Sequence, residues 1–284
     1  MLTSTQTLLA QAQASGYAIG AFNVYNLEGV RAVIGAAEQA RSPVMLQLLP
    51  QALHYGGAPL LALCQEAARC APVPVSVHLD HSTAEQDIRA ALAAGLTSIM
   101  ADGSHLAYAE NTVFTASMSV LAHEQGGFVE AELGRLSGAE DGLTVPELEA
   151  RLTDPASAAA FVAQTGVDAL AVCIGNVHGH YHGAPKLDFA RLAEIRRRVS
   201  LPLVLHGASG LPDAMIRQAV ALGVCKFNVN TEVREAFVFS LGRVLAANPK
   251  TDLLALMAPA IAAMRQVVTQ KILLFGSNDK VPVA

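Results

Sequence analysis

Residues 203–209 read LVLHGAS, a short apolar run that ends in a histidine followed by small residues. A similar run, rich in Val, Ile and Leu and with polar residues at or just after its end, occurs eight times along the chain. Strands that are apolar throughout are typical of a parallel sheet buried on both faces. The eight predicted strands are residues 18–24, 44–49, 73–79, 98–101, 128–133, 169–175, 203–206 and 225–229.

Ala-rich segments with helical character separate these strands, and several end in a glycine just before the next strand. They cover residues 27–41, 59–70, 84–94, 108–125, 154–164, 189–199 and 212–222. Such repeats, without a linker or a change in composition, predict one (β/α)₈ TIM barrel, an α/β fold that forms a single domain over residues 1–284. Extra helices are expected at 3–14, 233–247 and 253–274. A doubly wound open sheet is the alternative, but the Gly-rich fingerprint it requires is missing.

The composition narrows the function classes. The 284 residues are 52% hydrophobic and 15% charged, which excludes a disordered chain. The net charge is −5 and the 19 Lys and Arg residues form no basic run, which argues against nucleic acid as a partner. The N-terminus does not resemble a secretory signal, and the apolar stretch 253–264 is too short to cross a bilayer. The four cysteines form no CxxC pair, so a reduced, cytoplasmic protein is expected.

Three histidines follow predicted strands three, six and seven: His81, His178 and His206. The carboxyl ends of barrel strands meet at one rim, where the active sites of such barrels lie. Three neutral imidazoles with an open fourth position are the arrangement of catalytic zinc. Each histidine alone is more simply a hydrogen-bonded residue at a strand end, but three on one rim beside carboxylates favour a metal site.

Charged residues also lie within or directly after predicted strands. Asp80, next to His81, could ligate a metal, orient a histidine or act as an acid/base. Asp102 and Glu132 end strands four and five, where a supporting role is favoured over direct chemistry. Lys226 is the one lysine on a predicted strand and could form a Schiff base with a carbonyl substrate, but pairing with a carboxylate inside the barrel is preferred.

Small residues follow the last two predicted strands, in HGASG at 206–210 and NVNT at 228–231. The loops after these strands are the common phosphate site of barrels, because small residues let backbone N–H groups approach an anion. A phosphorylated substrate is therefore predicted, with Gly179 as a further contact. The loop over 134–143 is Gly-rich and acidic. It is either a mobile segment that carries Glu140 or Asp141 over the site or a solvated turn.

Taken together, the motifs resemble those of the class II, zinc-dependent ketose-bisphosphate aldolases, the family of fructose-bisphosphate and tagatose-bisphosphate aldolases. The residues that carry this resemblance are AFNVYN, HLDHS, ADGSH, VEAELGRLSGAEDG, AVCIGNVHGHYHGAPKLDF, PLVLHGASGLP and KFNVNTE. It implies a cytoplasmic lyase of carbohydrate metabolism. Such an enzyme reversibly cleaves a ketose (bis)phosphate to dihydroxyacetone phosphate and an aldehyde through a metal-stabilised enediolate.

The resemblance also implies roles for individual residues. His81, His178 and His206 match zinc ligands, and another divalent metal could replace the zinc. Asp80 matches the acid/base at the C4 hydroxyl, and Glu140 matches the group that moves the proton at C3 of dihydroxyacetone phosphate.

Further matches concern the surroundings of the metal and the substrate. Asp102 and Glu132 match carboxylates near the metal, in a supporting role or at a secondary metal position. A monovalent cation and a homo-oligomer, dimer or tetramer, belong to the same expectation. The residues implied to bind the substrate or its phosphate are Asn23, Gly179, Gly207, Ala208, Ser209, Asn228, Val229, Asn230 and Thr231.

One departure from the family concerns the substrate. After strand two many relatives carry Ser or Thr and then small residues, whereas this chain has Leu49, Pro50 and Gln51. No residue clearly supplies a second phosphate site, since Arg265 is more simply a surface helix residue. The same chemistry on a non-bisphosphate ketose 1-phosphate is therefore an alternative.

Three other functions remain open on the residues alone. The first is a Schiff-base aldolase that uses Lys226. The second is a metal-dependent barrel hydrolase, which typically has an HxH pair on strand one, where this chain has AIGAFNV. The third is a non-catalytic sugar-phosphate sensor, against which the set of Asp80, Glu140 and three histidines argues.

Overall fold

The computed structural model describes residues 1–140, 143–146, 150–181 and 183–281. The strands in these ranges are β1 (Ile19–Asn23), β2 (Val44–Leu48), β3 (Val75–Ser82), β4 (Ser98–Ala101), β5 (Phe128–Leu133), β6 (Ser137–Glu140), β7 (Leu143–Val145), β8 (Ala169–Val172), β9 (Val177–His178), β10 (Leu203–Leu205) and β11 (Val224–Val229). The helices are α1 (Thr5–Ser15), α2 (Leu27–Ala40), α3 (Pro50–Cys70), α4 (Glu85–Ala93), α5 (Tyr108–His123), α6 (Pro155–Thr165), α7 (Phe189–Arg198), α8 (Asp213–Ala221), α9 (Thr231–Ala247) and α10 (Leu253–Phe275).

Eight of the strands close into a barrel in the order β1-β11-β10-β8-β5-β4-β3-β2. All neighbouring strands in it are parallel. Each coincides within a few residues with one of the predicted strands, and helices connect them. The predicted (β/α)₈ TIM barrel is therefore confirmed.

Helix α1 closes the amino-terminal end of this barrel. Leu8 and Leu9 of α1 pack in one apolar cluster with Ile19, Met45 and Val204, which belong to barrel strands. Complete burial of such a side chain contributes about 1.5–3 kcal/mol. The floor also holds one buried polar contact, in which Thr5 of α1 donates to Ser98 of β4 at 2.7 Å. The clusters of ionisable side chains described below lie in the middle of the barrel and at its carboxyl-terminal mouth.

Helix α10 is longer than the apolar stretch considered in the sequence. It runs unbroken to Phe275, and it is the one helix in the described part of the chain that is long and apolar enough to cross a membrane. By length and composition alone this is weak evidence, since a core helix can pass the same test. Met264, Val268 and Ile272 of α10 are buried in the main hydrophobic core.

Helix α3 begins nine residues before its predicted start. Pro50 occupies its first turn, where the missing N–H of proline is tolerated. Two helical pieces meet at Gly57, whose φ of 58° and ψ of −161° lie outside the helical region. The Leu49-Pro50-Gln51 sequence is therefore a helix start that places Leu49 and Gln51 at the mouth of the barrel.

Part of the segment 134–143, which the sequence predicted to be a mobile loop or a solvated turn, forms strands: β6 covers residues 137–140 and β7 begins at Leu143. Strands β6 and β7 pair in antiparallel fashion, and β9 adds to β6 in parallel to complete a small sheet outside the barrel. The signal was missed because these strands are two to four residues long and β9 lies far away in the sequence. Asp141 lies outside the described residues.

Candidate active site

The three predicted metal ligands and one carboxylate meet at the mouth of the barrel. One ligand atom from each of His81, Glu132, His178 and His206 lies within 4.8 Å of the others, and we call these four residues the rim cluster. His81 lies in β3, Glu132 in β5 and His178 in β9, and His206 directly follows β10. Sequence reasoning favoured a supporting role for Glu132, whereas the geometry makes it a fourth potential ligand.

Two further carboxylates orient imidazoles of the rim cluster. His81 Nδ1 lies 2.7 Å from Asp102 Oδ2, and His206 Nε2 lies 2.8 Å from Glu130 Oε1. The other nitrogens, His81 Nε2 and His206 Nδ1, face each other at 2.8 Å. Carboxylate–histidine pairs of this kind fix the tautomer that leaves the second nitrogen for a metal. Asp102 thus contacts an imidazole of the cluster, and so does Glu130, for which sequence reasoning assigned no role.

A local distortion of β3 brings two consecutive residues to the mouth. Side chains of neighbouring residues in a regular strand point to opposite faces, yet Asp80 and His81 line the same pocket. His81 has a φ of 44°, in the left-handed region, and the pairing of β3 with β4 shifts register between Leu79 and Ser82. Such a bulge re-aims a side chain, and left-handed residues other than glycine are often found at functional sites.

The rim cluster fits a zinc ion. Imidazole nitrogens and a carboxylate oxygen are zinc ligands in proteins. Glu132 Oε2 is buried without a hydrogen-bond partner among the described residues, and it lies 3.5 Å from His206 Nδ1. A buried polar atom without a partner costs free energy, and a cation bound between these donors would remove that cost.

The charges at the mouth shift the pKa values of the cluster in different directions. Burial lowers the pKa of His81, but Asp80 and the hydrogen bond to Asp102 outweigh burial and raise this pKa to about 10. Burial, and next the charge of Asp102, raise the pKa of Glu132 to about 8. Burial, and next the charge of His81, hold the pKa of His206 well below its ordinary value. Binding of a metal therefore has to displace a proton from His81.

A second polar group lies deeper in the barrel, and we call it the inner cluster: His78, Glu130 and Lys226. Lys226 Nζ lies 2.8 Å from Glu130 Oε2 and donates to Asn228 Oδ1 at 2.7 Å. Because β5 and β11 are not neighbours, this ion pair crosses the interior of the barrel. Both side chains are fully buried. The pairing preferred for Lys226 in the sequence is present, and a lysine enclosed in this way is poorly placed to form a Schiff base.

Three amide side chains converge on Asp80. Asn23 Nδ2 and Gln47 Nε2 donate to Asp80 Oδ2 at 2.9 and 3.2 Å. Asn228 Nδ2 donates to Asp80 Oδ1 at 3.0 Å. The donors from three strands fix the position of the carboxylate beside the rim cluster. Gln47 was missed by sequence reasoning, and the one signal for it was a polar residue inside the apolar run VMLQL.

Most of the residues predicted to bind substrate line one small pocket beside the histidines. The residues around it are Asn23, Asp80, His81, His178, Gly179, Gly207, Ser209, Asn228 and Asn230. Gly207 has a φ of 65°, and a Cβ atom there would lie 1.9 Å from Val177 O, so only glycine fits. Ala208, Val229 and Thr231 are buried next to this pocket and do not line it.

A larger cleft of about 330 Å³ opens on the other side of the rim cluster. His81, Glu132 and His178 form its inner wall. The rest of its described lining is Leu49, Gln51, Thr83, Asp102, Ser104, His105, Arg135, Leu136, Gly138 and Val145. The two cavities share His81 and His178, so a ligand could extend from one cavity into the other past the rim cluster.

Several predicted residues are not brought into this group. Glu140 ends β6, but its side chain lies outside what the structure describes. His180, two residues after His178, is largely exposed and lies 2.7 Å from Glu235, and His182 is outside the described residues. The guanidinium of Arg265 lies against Gly35 of α2 and lines neither cavity, so Arg265 is not a distal phosphate ligand within this chain.

Comparison with known proteins places the chain beside aldolases. A family model described as fructose-bisphosphate aldolase class-II matches residues 3–280. The crystal structure of the YdjI aldolase from Escherichia coli K12 is 36% identical over 99% of this chain and 100% of that chain, with a TM-score of 0.89. A proposed fructose-1,6-bisphosphate aldolase from Coccidioides immitis is 35% identical over 98% of this chain and 97% of that chain, with a TM-score of 0.91. A fructose-bisphosphate aldolase from Campylobacter jejuni, 22% identical over 98% and 97%, shares the fold with a TM-score of 0.82.

Proposed function

Because the chain belongs to the class II fructose-bisphosphate aldolase family and is therefore an aldolase, a lyase, we propose that it uses zinc to cleave a ketose phosphate reversibly. The products are dihydroxyacetone phosphate and an aldehyde. The observation that carries this proposal is the rim cluster, whose four donors converge beside Asp80 and between two cavities.

His81, His178, His206 and Glu132 would hold the metal. Cleavage next to a ketone leaves an enediolate, and a divalent cation supplies a Lewis acid for the charge that develops on the substrate oxygens. The carboxylates of Asp102 and Glu130 hold two of the imidazoles in the tautomer that this site needs. A second divalent metal can substitute where it accepts the same donors.

Asp80 would move the proton at the C4 hydroxyl of the ketose. It is buried at the mouth, and its amide donors hold it as a hydrogen-bond acceptor. In the condensation direction the same group would return that proton to the aldehyde oxygen. The transfer at C3 falls to Glu140, because β6 belongs to the same small sheet as His178 and so begins beside the site.

The phosphate of dihydroxyacetone phosphate fits the smaller pocket. Gly179, Gly207 and Ser209 line it together with Asn230, and backbone N–H groups can approach an anion closely where side chains are small. A monovalent cation is a further ligand that we propose for this anionic site.

The aldehyde half of the substrate fits the larger cleft. A ketose 1-phosphate with an uncharged distal end is a second candidate substrate beside a bisphosphate, because Leu49, Leu136 and Val145 make part of the described lining apolar. Arg135 is the one arginine or lysine in the described lining.

We further propose that residues 1–284 act as one domain in a cytoplasmic homo-oligomer, a dimer or tetramer. The family match over residues 3–280 supports one functional unit. Exposed apolar side chains on α9 and α10, among them Phe239 and Leu254, support contacts between subunits.

Metal removal tests the proposed function directly. Treatment with EDTA should abolish aldol cleavage, and zinc or cobalt should restore it. In the variant Asp80→Asn, kcat should fall about 10²–10⁴-fold, while the protein still binds zinc. The matched control Asp213→Asn, at an exposed position, should have wild-type activity. Full activity in demetallated protein would contradict the proposal.

A condensation screen of dihydroxyacetone phosphate with phosphorylated and non-phosphorylated aldehydes would rank the two substrate classes.

A further inference from the structure

Tyr181 lies after β9, between the two loops that carry His178 and His206, and none of the roles above uses it. Its hydroxyl has two partners. It accepts a hydrogen bond from Val177 N at 3.3 Å and donates one to Gly207 O at 2.9 Å. Val177 immediately precedes His178, and Gly207 immediately follows His206. One oxygen atom therefore bridges the backbones next to two residues of the rim cluster.

Other contacts join the same two loops. Asn176 Nδ2 donates to His206 O at 3.0 Å, and Asn176 Oδ1 accepts from Ile174 N at 2.8 Å. The Cα of Gly207 packs so closely on Val177 O that no Cβ would fit there. The loops thus meet backbone to backbone, and both the Tyr181 hydroxyl and the Asn176 amide bond across this contact.

The phenol is suited to a permanent bridge. Its ring is partly buried against the main hydrophobic core, and the ring edge lies 3.7 Å from the position a Cβ of Gly210 would take. Burial raises the pKa of Tyr181 above its ordinary value, so the hydroxyl keeps its proton and remains a donor to Gly207 O. Tyr181 therefore contacts the predicted phosphate loop at Gly207, and its ring lies beside Gly210.

We propose that Tyr181 is a positioning residue that sets the separation of His178 from His206 and holds the Gly207 loop in place for phosphate. Metal ligands must be held within a few tenths of an ångström of their preferred distances, and neighbours that orient ligands typically change metal affinity 10–100-fold when they are removed. This inference rests on the proposed metal and phosphate sites. Removal of a single oxygen atom should therefore weaken zinc binding without a comparable loss of folding stability.

The variant Tyr181→Phe tests this role, because it keeps the ring and deletes only the bridging oxygen. Zinc affinity, measured by competition with a chromogenic chelator, should fall at least about tenfold. The visible absorption spectrum of the cobalt-substituted protein should change, since the ligand geometry relaxes. The KM for the phosphorylated substrate should rise as well. The melting temperature of the metal-free protein should fall by no more than about 4 °C.

Tyr108→Phe is the matched control, since Tyr108 begins α5, contacts Phe161 and lines neither cavity. It should bind zinc as wild type does. Asn176→Ala removes the parallel bond to His206 and should lower zinc affinity in the same direction, which keeps the inference testable if Tyr181→Phe does not fold. A Tyr181→Phe protein with a lower melting temperature but wild-type zinc affinity would overturn the inference and leave the proposed function standing. Failure of wild type to bind zinc would overturn both.

Discussion

The rim cluster and the inner cluster each contain a buried glutamate from β5, but the two glutamates have different partners. Glu130 and Glu132 are two residues apart on β5, so their side chains point to the same face of the strand. Glu130 is paired with the Lys226 ammonium at 2.8 Å, whereas the imidazole of His206, 3.5 Å away, is the closest basic group recorded for Glu132. Both carboxylates contact imidazoles and both have one oxygen without a hydrogen-bond partner, so the lysine is what distinguishes them. The carboxylate whose charge is balanced by an ammonium is a structural element, and the one without it is available to a metal.

Removal of the lysine should break the inner cluster. Lys226→Met leaves Glu130 as a buried charge without its cation, which typically costs about 3–5 kcal/mol of unfolding free energy. Denaturant unfolding of the metal-free protein measures this loss. Lys250→Met, an exposed lysine, should change stability little. A loss below about 1 kcal/mol for Lys226→Met would mean that the buried pair is not the structural element described here.

The two glutamates should respond in opposite ways to the same substitution. Glu130→Gln should lower the stability of metal-free protein by about 3–5 kcal/mol, because the fully buried Lys226 ammonium is left without its anion. Glu132→Gln should leave that stability nearly unchanged at pH 7, because burial, and next Asp102, raise the pKa of Glu132 to about 8 and the group is already largely protonated. Its zinc affinity should nevertheless fall at least about tenfold, since a ligand oxygen is lost. Chelator competition measures the zinc affinity of both variants, and denaturant unfolding measures their stability. Equal zinc affinity in Glu132→Gln and wild type would show that Glu132 is not a zinc ligand.

Acidification should lower the unfolding free energy of the protein through His78 of the inner cluster. Burial, and next the charge of Lys226, lower the pKa of His78 to about 3. The unfolded chain binds a proton at this residue below about pH 6.5, whereas the folded chain does not. His78 should therefore cost about 1.4 kcal/mol of stability per pH unit as the pH falls from 6 to 4. Unfolding at several pH values should give a shallower slope for His78→Gln, and parallel curves would contradict the expectation.

The smallest effect is expected at Gln47. The variant Gln47→Leu removes one 3.2 Å hydrogen bond to Asp80, and loss of about 1 kcal/mol of positioning corresponds to roughly fivefold in kcat. Zinc affinity should not change, because Gln47 does not contact the rim cluster. Gln11→Leu at an exposed position is the control. A kcat equal to wild type would show that Asn23 and Asn228 hold Asp80 without help.

The barrel could be predicted because each of its strands is a nearly continuous apolar run, and such a run can be identified from a few consecutive residues. The three histidines and Asp80 could be singled out because they follow such runs, which places them on one rim. The small sheet could not be predicted, since β9 consists of two residues and its partner β6 lies some forty residues earlier. The first nine residues of α3 were not predicted, since Gly57, with non-helical angles, and Pro59 interrupt the helical pattern there.

Contacts between side chains from distant strands of the barrel also could not be predicted from the sequence. Nothing local distinguishes Glu130 from Glu132, and the distinction arises only when closure brings Lys226 from β11 to one of them. Gln47 and Tyr181 were missed for the same reason, because their roles depend on bonds to Asp80 and to the Gly207 backbone. Residue types that carry chemistry are visible in a sequence, whereas the groups that hold them in place become visible only after folding.

The small sheet constrains any redesign of the segment that follows β5. Gly138 pairs with His178 across β6 and β9, has a φ of 114°, and would place a Cβ 2.0 Å from His178 O. A grafted segment with any other residue at 138 would push directly on a residue of the rim cluster. An engineer who exchanges this segment to alter specificity should therefore keep the glycine and assay metal content before turnover, since a graft with unsuitable geometry would be recognised first by its missing ion.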